Sequence, residues 1–196
     1  IHGAVFIARL KVGARIVAMQ KKLLSLADTD ELTGLLNRRA AIKACETHLA
    51  RLARSDKSTS HCLIIADIDF FKHINDTYGH QIGDRVLIDV SNRMRNSIRP
   101  FETAARFGGE EFLVILPGTD GEGAVAVAER LLQTVYDLNI IHSSSEYGRV
   151  TLSAGLAIKN ANDDKTIDFV MLEADKNLYS AKTSGRNRLV SPSLSS

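Results

Sequence analysis

The stretch from Arg106 to Phe112, Arg-Phe-Gly-Gly-Glu-Glu-Phe, constrains the fold more than any other part of the chain. The runs 101–107 and 112–116 read as strands. A Gly-Gly pair between two such runs signals a β-hairpin, because glycine adopts turn conformations that a Cβ disfavours. Glu110 and Glu111 follow the turn directly. A turn that can approach a ligand closely and carries two carboxylates suits a metal–phosphate site in need of a third acidic ligand. The segment from Ala66 to Asp84, ADIDFFKHINDTYGHQIGD, offers Asp67 and Asp69, which point the same way if the strand before them is regular. The competing reading of such clusters is a solvated turn or a cap.

The remaining elements follow from periodicity and punctuation. DELTGLLNRR, residues 30–39, reads as a turn around Gly34 leading into a helix over 38–53, and polar residues 55–60 end it. The apolar run 61–68 is a buried strand that delivers Asp67 and Asp69 at its C-terminal end. Val86, Leu87, Val90 and Met94 give helical spacing over 84–98. Residues 123–138 form an alanine-rich amphipathic helix, 149–158 a strand, 167–183 a second amphipathic helix stopped near Gly185, and 189–190 a short closing strand. Helices and hairpin strands around one sheet predict an α/β (α+β) domain with antiparallel pairs, not a doubly wound parallel sheet.

Ahead of this domain, residues 4–27 contain no proline and place Val12, Ile16, Met19, Leu23 and Leu26 at spacings of four and three. That is the seam of a helix pairing with another helix, with Lys11, Arg15, Lys21 and Lys22 on its solvated faces. Packing on its own domain is the alternative. The expected division is a signalling or dimerisation helix over 1–27, a catalytic domain over 28–190 and a disordered tail over 191–196. The chain begins at Ile1, so it reads as a fragment.

Composition narrows the function. With 196 residues, 44% hydrophobic, the chain suits one sizeable core. A net charge of +2 with both signs dispersed argues against a polymeric nucleic acid as partner. Cys45 and Cys62 lack metal or redox spacing and are expected as free thiols in a cytoplasmic protein. No stretch approaches the roughly 20 apolar residues that cross a bilayer.

Lys72, Lys182 and Arg186 are natural phosphate neutralisers, although any one of them could be an ordinary surface cation. Asn75 can donate and accept at a purine edge, whereas Asp84 only accepts, which suits the N1–H and amine of guanine. Both also suit helix caps.

Five ordered segments, DELTGLLNRR, ADIDFFKHINDTYGHQIGD, RFGGEEF, VTLSAGLA (150–157) and ADKNLYSAKTSGRN (174–187), resemble the GGDEF-domain diguanylate cyclases, in the GGEEF variant. The resemblance implies a palm-like nucleotidyl-cyclase fold, a central, largely antiparallel sheet wrapped by helices. It implies condensation of two GTP into cyclic di-GMP, with release of two pyrophosphates, by two Mg²⁺ ions, Mn²⁺ being the alternative metal. By the family's pattern Asp67, the carbonyl of Ile68 and Glu110 hold metal, Glu111 supports the second ion, and Glu110 receives the proton of the attacking 3′-hydroxyl. Lys72, Lys182 and Arg186 face the triphosphate, Asn75 and Asp84 read guanine, and Phe71, Gly108 and Gly109 lie against the nucleotide. Each domain binds one GTP, so a homodimer is required. The competing function is a catalytically silent module that binds GTP or cyclic di-GMP.

One departure stands out. Many members carry an inhibitory Arg-x-x-Asp site nine residues before the first glycine of the turn. Here those positions are Arg99 and Glu102, and the longer acid implies weakened product inhibition. The words ARLKVGARIV, residues 8–17, resemble a linker from a receiver domain, so an upstream regulatory domain is expected as partner.

Overall fold

The computed structural model describes residues 28–52 and 60–193, together with positions 7, 9, 11–13, 15 and 19, which are helical. Of the expected N-terminal seam, Val12 and Met19 are exposed. Ile16, Leu23 and Leu26 lie outside the described residues, as do Ala53 and positions 194–196 of the expected tail.

The domain contains, in chain order, α1 (Arg38–Leu52), β1 (Ser60–Ile68), α2 (Phe71–Tyr78), α3 (His80–Ser97), β2 (Thr103–Arg106), β3 (Glu111–Pro117), α4 (Gly121–Tyr136), β4 (Leu152–Asn160), α5 (Ile167–Thr183) and β5 (Leu189–Val190). The strands form one sheet in the order β2-β3-β1-β4-β5. The first three pairings are antiparallel and β4–β5 is parallel. This is the mixed, largely antiparallel architecture expected from the sequence.

Period-two alternation along the central strands sends successive side chains to opposite faces. Cys62, Ile64, Ala66 and Ile68 join Phe112, Val114 and Leu116 on one face, where Val90, Met94, Ala128 and Leu131 of α3 and α4 cover them. Leu63 and Ile65 join Leu113 and Ile115 on the other, beneath Ala41 and Cys45 of α1 and Val170, Ala174 and Leu178 of α5. Each fully buried Leu or Ile contributes about 1.5–3 kcal/mol relative to exposure. Cys45 and Cys62 are free, buried and on opposite faces; burial pushes both thiols up to about 12. Among the described residues no helix is long and apolar enough to cross a membrane.

Helix α5 lies directly on β4. A Cβ at Gly155 would run into the backbone at Ala174 O and Leu178 N, so only glycine allows this approach. Asn177 fastens the contact, its Nδ2 donating to Leu156 O at 2.7 Å.

The periodicity gives no sign of α2. It is eight residues of mostly polar sequence with only Phe71 and Ile74 buried, too short to establish a pattern. Phe70 (φ 56°) and Gly79 (φ 85°) bound it, and α3 starts immediately after that break, four residues before the expected position. Strand β2 starts at Thr103 rather than 101 because Arg99 to Glu102 form a turn, with Glu102 N–H donating to Arg99 O. Strand β4 starts at Leu152 rather than 149. Val150 N–H donates to Ile140 O, and Thr151 O accepts from Asp69 N–H, so the backbone before Leu152 serves other partners.

Candidate functional site

The carboxyl end of β1, the β2–β3 turn, the start of α2 and the end of α5 converge at one end of the sheet. Asp67 is registered opposite Glu111, so the two project from the same face. Glu110 sits just outside β3, its carbonyl accepting from Ile68 N–H at 3.3 Å. Lys182, in the last turn of α5, places Nζ 2.9 Å from Asp67 Oδ2. Burial pushes Asp67 up to about 6, Lys182 opposes this, and Glu110 and Glu111 push further in the same direction.

Asp67 thus has one ammonium partner and two neighbouring carboxylates, a concentration of negative charge that a hard divalent cation would neutralise with oxygen ligands. In this respect the carboxylates of Asp67, Glu110 and Glu111 suit a hard divalent cation. They are not a preassembled cage: among the described residues no group of three or more His, Cys, Asp or Glu side chains is set to hold an ion.

Asp69, the other aspartate considered from the sequence as a ligand, is not available. It is 1% exposed. Its Oδ1 accepts from Ser153 Oγ at 2.7 Å, and its Oδ2 from Thr151 Oγ1 at 2.7 Å and Asn187 N–H at 3.1 Å.

The turn glycines have different roles. A Cβ at Gly108 would come within 2.5 Å of Glu111 Oε2, so this glycine makes room for the acid three residues on. Gly109 faces open space and its carbonyl accepts from Arg106 Nε and Nη2 at 3.0 and 2.8 Å. Arg106 also reaches Asp30, with Nη1 3.2 Å from Oδ1. Sequence reasoning missed this brace, although Arg106 opens the turn segment and Asp30 opens DELTGLLNRR.

Lys72 is exposed at the start of α2. Arg186 lies with its guanidinium 4.2 Å above the Phe70 ring, adjoining Phe71 and Lys72. Asn75 lies on α2 and Asp84 in the second turn of α3, directly after Gly83. A Cβ at Gly83 would collide with Asn75 Oδ1 and press on Phe71 Cζ at 3.2 Å, so Gly83 is what lets the Asn75 amide lie against α3. Neither Asn75 nor Asp84 caps a helix: the N-cap positions of α2 and α3 are Phe70 and Gly79, and neither helix has a side-chain cap there.

Arg99 and Glu102 lie apart from this cluster, in the turn between α3 and β2. Arg99 is exposed, its guanidinium 5.9 Å from the Phe101 ring. Glu102 is 6% exposed and turned inward, Oε2 accepting from Arg99 N–H at 2.7 Å.

Residues 27–188 match the family described as "Diguanylate cyclase, GGDEF domain". The chain belongs to the GGDEF family. Diguanylate cyclase A of Treponema denticola is 38% identical over 177 residues, 90% of this chain and 47% of that protein. Response regulator PleD of Caulobacter vibrioides is 40% identical over 169 residues, 85% of this chain and 36% of that protein. The chain therefore spans less than half the length of these relatives. Among solved structures, the coiled coil and GGDEF domain of DgcB from Caulobacter crescentus in complex with c-di-GMP aligns with a TM-score of 0.84 at 30% identity, covering 96% of this chain and 98% of that one. The active GGEEF domain of a Vibrio cholerae diguanylate cyclase aligns at 0.70 and 33% identity, covering 82% and 99%. This GGDEF domain carries the GGEEF form of the turn, with Glu110 where the family's name has Asp.

Proposed function

We propose that this chain is the catalytic part of a diguanylate cyclase, condensing two GTP into cyclic di-GMP and two pyrophosphates. The observation that carries the reading is the convergence of Asp67, Glu110, Glu111 and Lys182 at one sheet end, with Arg186, just past α5, laid over Phe70 at the start of α2, next in sequence to Phe71 and Lys72. Asp67, the Ile68 carbonyl and Glu110 would hold Mg²⁺, with Mn²⁺ as the alternative, and Glu111 would support a second ion; the metals would supply neutralisation of charge on the triphosphate and the leaving pyrophosphate. Lys72 and Lys182 supply compact point charges to the same triphosphate, and Arg186 a planar fork. Asn75 and Asp84 orient guanine, and Phe71 and the Gly108–Gly109 turn bound the nucleotide. On this reading Glu110 receives the proton of the 3′-hydroxyl.

Each domain holds one GTP, so the reaction needs two domains face to face. Holding both nucleotides in register contributes on the order of 7–11 kcal/mol towards the bimolecular barrier. On this reading residues 28–190 are the cyclase domain, residues 1–27 a helix that governs pairing, and an upstream receiver-type domain supplies the signal.

The test is incubation with GTP and Mg²⁺ over a wide range of protein concentration, with products identified by mass spectrometry. Cyclic di-GMP forms with a specific rate that rises with concentration, and Glu110→Gln abolishes it. GTP left intact by a version dimerised through a fused coiled coil overturns the reading in favour of a nucleotide-binding signalling module.

A further inference from the structure

The segment after α5 departs from ordinary backbone geometry. Gly185, Arg186 and Asn187 have φ of 116°, 59° and 47°, three successive residues on the left-handed side, two of them not glycine. Side-chain-bearing residues enter that region singly and at a cost, so a run of this kind persists only where surrounding contacts impose it.

Three contacts from outside the segment hold it. Tyr147, in the α4–β4 connection, donates its hydroxyl to Gly185 O at 2.7 Å across 38 residues. Asp69 Oδ2 accepts from Asn187 N–H at 3.1 Å, with its carboxylate already fixed by Thr151, just before β4, and Ser153 on it. Ala181 O accepts from Arg186 N–H at 3.0 Å. The first two grip the residues on either side of Arg186, whose guanidinium is laid over the Phe70 ring at 4.2 Å.

We infer that Tyr147 and Asp69 are positioning residues. They clamp the 185–187 segment in its left-handed form and so aim Arg186 at the phosphate side of the site. The inference rests on the reading of Arg186 as a phosphate-binding residue, and extends it to a residue outside every signature segment and to an aspartate whose position beside Asp67 suggested metal binding. Asp69 touches no substrate on this account; it acts through the Asn187 amide. Tyr147 acts through the Gly185 carbonyl. An arginine whose backbone is already fixed loses less freedom on gripping an anion than one on a free loop, so the clamp acts on affinity.

The decisive experiment is a double-mutant cycle read by calorimetric binding of 3′-deoxy-GTP with Mg²⁺, a probe that cannot condense. Tyr147→Phe removes one half-buried hydroxyl and weakens binding roughly three- to tenfold in the protein with Arg186. In the Arg186→Ala background it has no further effect, because the residue it positions is gone. An equal loss in both backgrounds overturns the inference. Amide exchange of Arg186 and Asn187 in the nucleotide-free protein gives an independent readout. Tyr147→Phe and Asp69→Asn both accelerate it, and unchanged exchange in Tyr147→Phe overturns the clamp even if Asp69→Asn fails to fold. If the wild-type protein does not bind the probe, the reading of the site fails, and the exchange measurement by itself decides the clamp.

Discussion

Lys182 Nζ stands 2.9 Å from Asp67 Oδ2, and this contact carries the main electrostatic compromise of the domain. Asp67 is buried at the end of β1 with Glu110 and Glu111 close by, so its charged form is disfavoured by desolvation first and by repulsion as well; one ammonium offsets only part of this. Together these push the carboxyl up to about 6 from its ordinary 3.8.

The direction of the pH dependence follows. A carboxyl whose folded value is raised takes up its proton more readily in the folded state, so its favourable contribution is fully present below about 4. That contribution is lost as pH rises through about 6. Asp67→Asn, which cannot ionise, therefore stabilises the metal-free protein at pH 7–8 by on the order of 1–3 kcal/mol, and the advantage shrinks towards pH 4. Denaturant titrations of both proteins at pH 4, 6 and 8 in chelator measure it. Catalysis runs the opposite way: cation binding needs the carboxylate, so kcat/KM for GTP falls about tenfold per pH unit below about 6. A wild-type rate flat from pH 5 to 8 would sink this account of Asp67.

Gly83 is predicted to set base recognition although it touches no base. A methyl group there meets Asn75 Oδ1 and Phe71 Cζ. Gly83→Ala forces the Asn75 amide from its place against α3 and raises KM for GTP about ten- to a hundredfold, equivalent to roughly 1.4–2.8 kcal/mol. The preference over ATP narrows, while Asp67 and Lys182 stay in place. Competition binding of GTP and ATP to the variant measures both effects, and an unchanged preference would show that Asn75 is not the base reader.

How much of this was legible beforehand depended on the reach of each signal. The hairpin, α5 and the apolar strand that carries Asp67 near its end are local patterns within one segment, and the structure has them within a few residues of the expected positions. Helix α2 was hidden because eight residues bounded by a left-handed Phe70 show no helical period. The pairing of Asp67 with Lys182 across 115 positions, the saturation of Asp69 by Thr151, Ser153 and Asn187, and the Arg106–Asp30 brace are long-range contacts. No spacing rule within one sequence encodes them. The resemblance to a family supplied the identities of the site residues; geometry supplied what surrounds them.

Gly155→Ala is expected to damage stability rather than chemistry. The added methyl would strike Ala174 O and Leu178 N, both rigid helix backbone rather than a flexible side chain, so α5 must move off β4. Overpacking of this kind costs about 1–3 kcal/mol or more. Since Lys182 rides on α5, the loss of thermal midpoint comes with a smaller loss of turnover per folded molecule. Calorimetry together with active-site titration separates the two. A variant with an unchanged midpoint would mean that the helix is not held this closely.

Feedback control is the last consequence. The Glu102 carboxylate points into the protein, one oxygen accepting from Arg99 N–H at 2.7 Å and the other buried without a hydrogen-bond partner among the described residues. A side chain committed to its own turn cannot present its acid to a product molecule without breaking that turn, whereas Arg99 alone remains exposed. Cyclic di-GMP is therefore expected to inhibit this domain weakly or not at all. Restoring the shorter acid with Glu102→Asp removes the reach to Arg99 N–H and is expected to strengthen inhibition by about tenfold, close to the 1.4 kcal/mol that one charge-assisted hydrogen bond supplies. Initial rates against added cyclic di-GMP, for wild type, Glu102→Asp and Arg99→Ala, give the comparison. Micromolar inhibition of the wild type that disappears in Arg99→Ala would show that Glu102 serves a product site as well as the aspartate does.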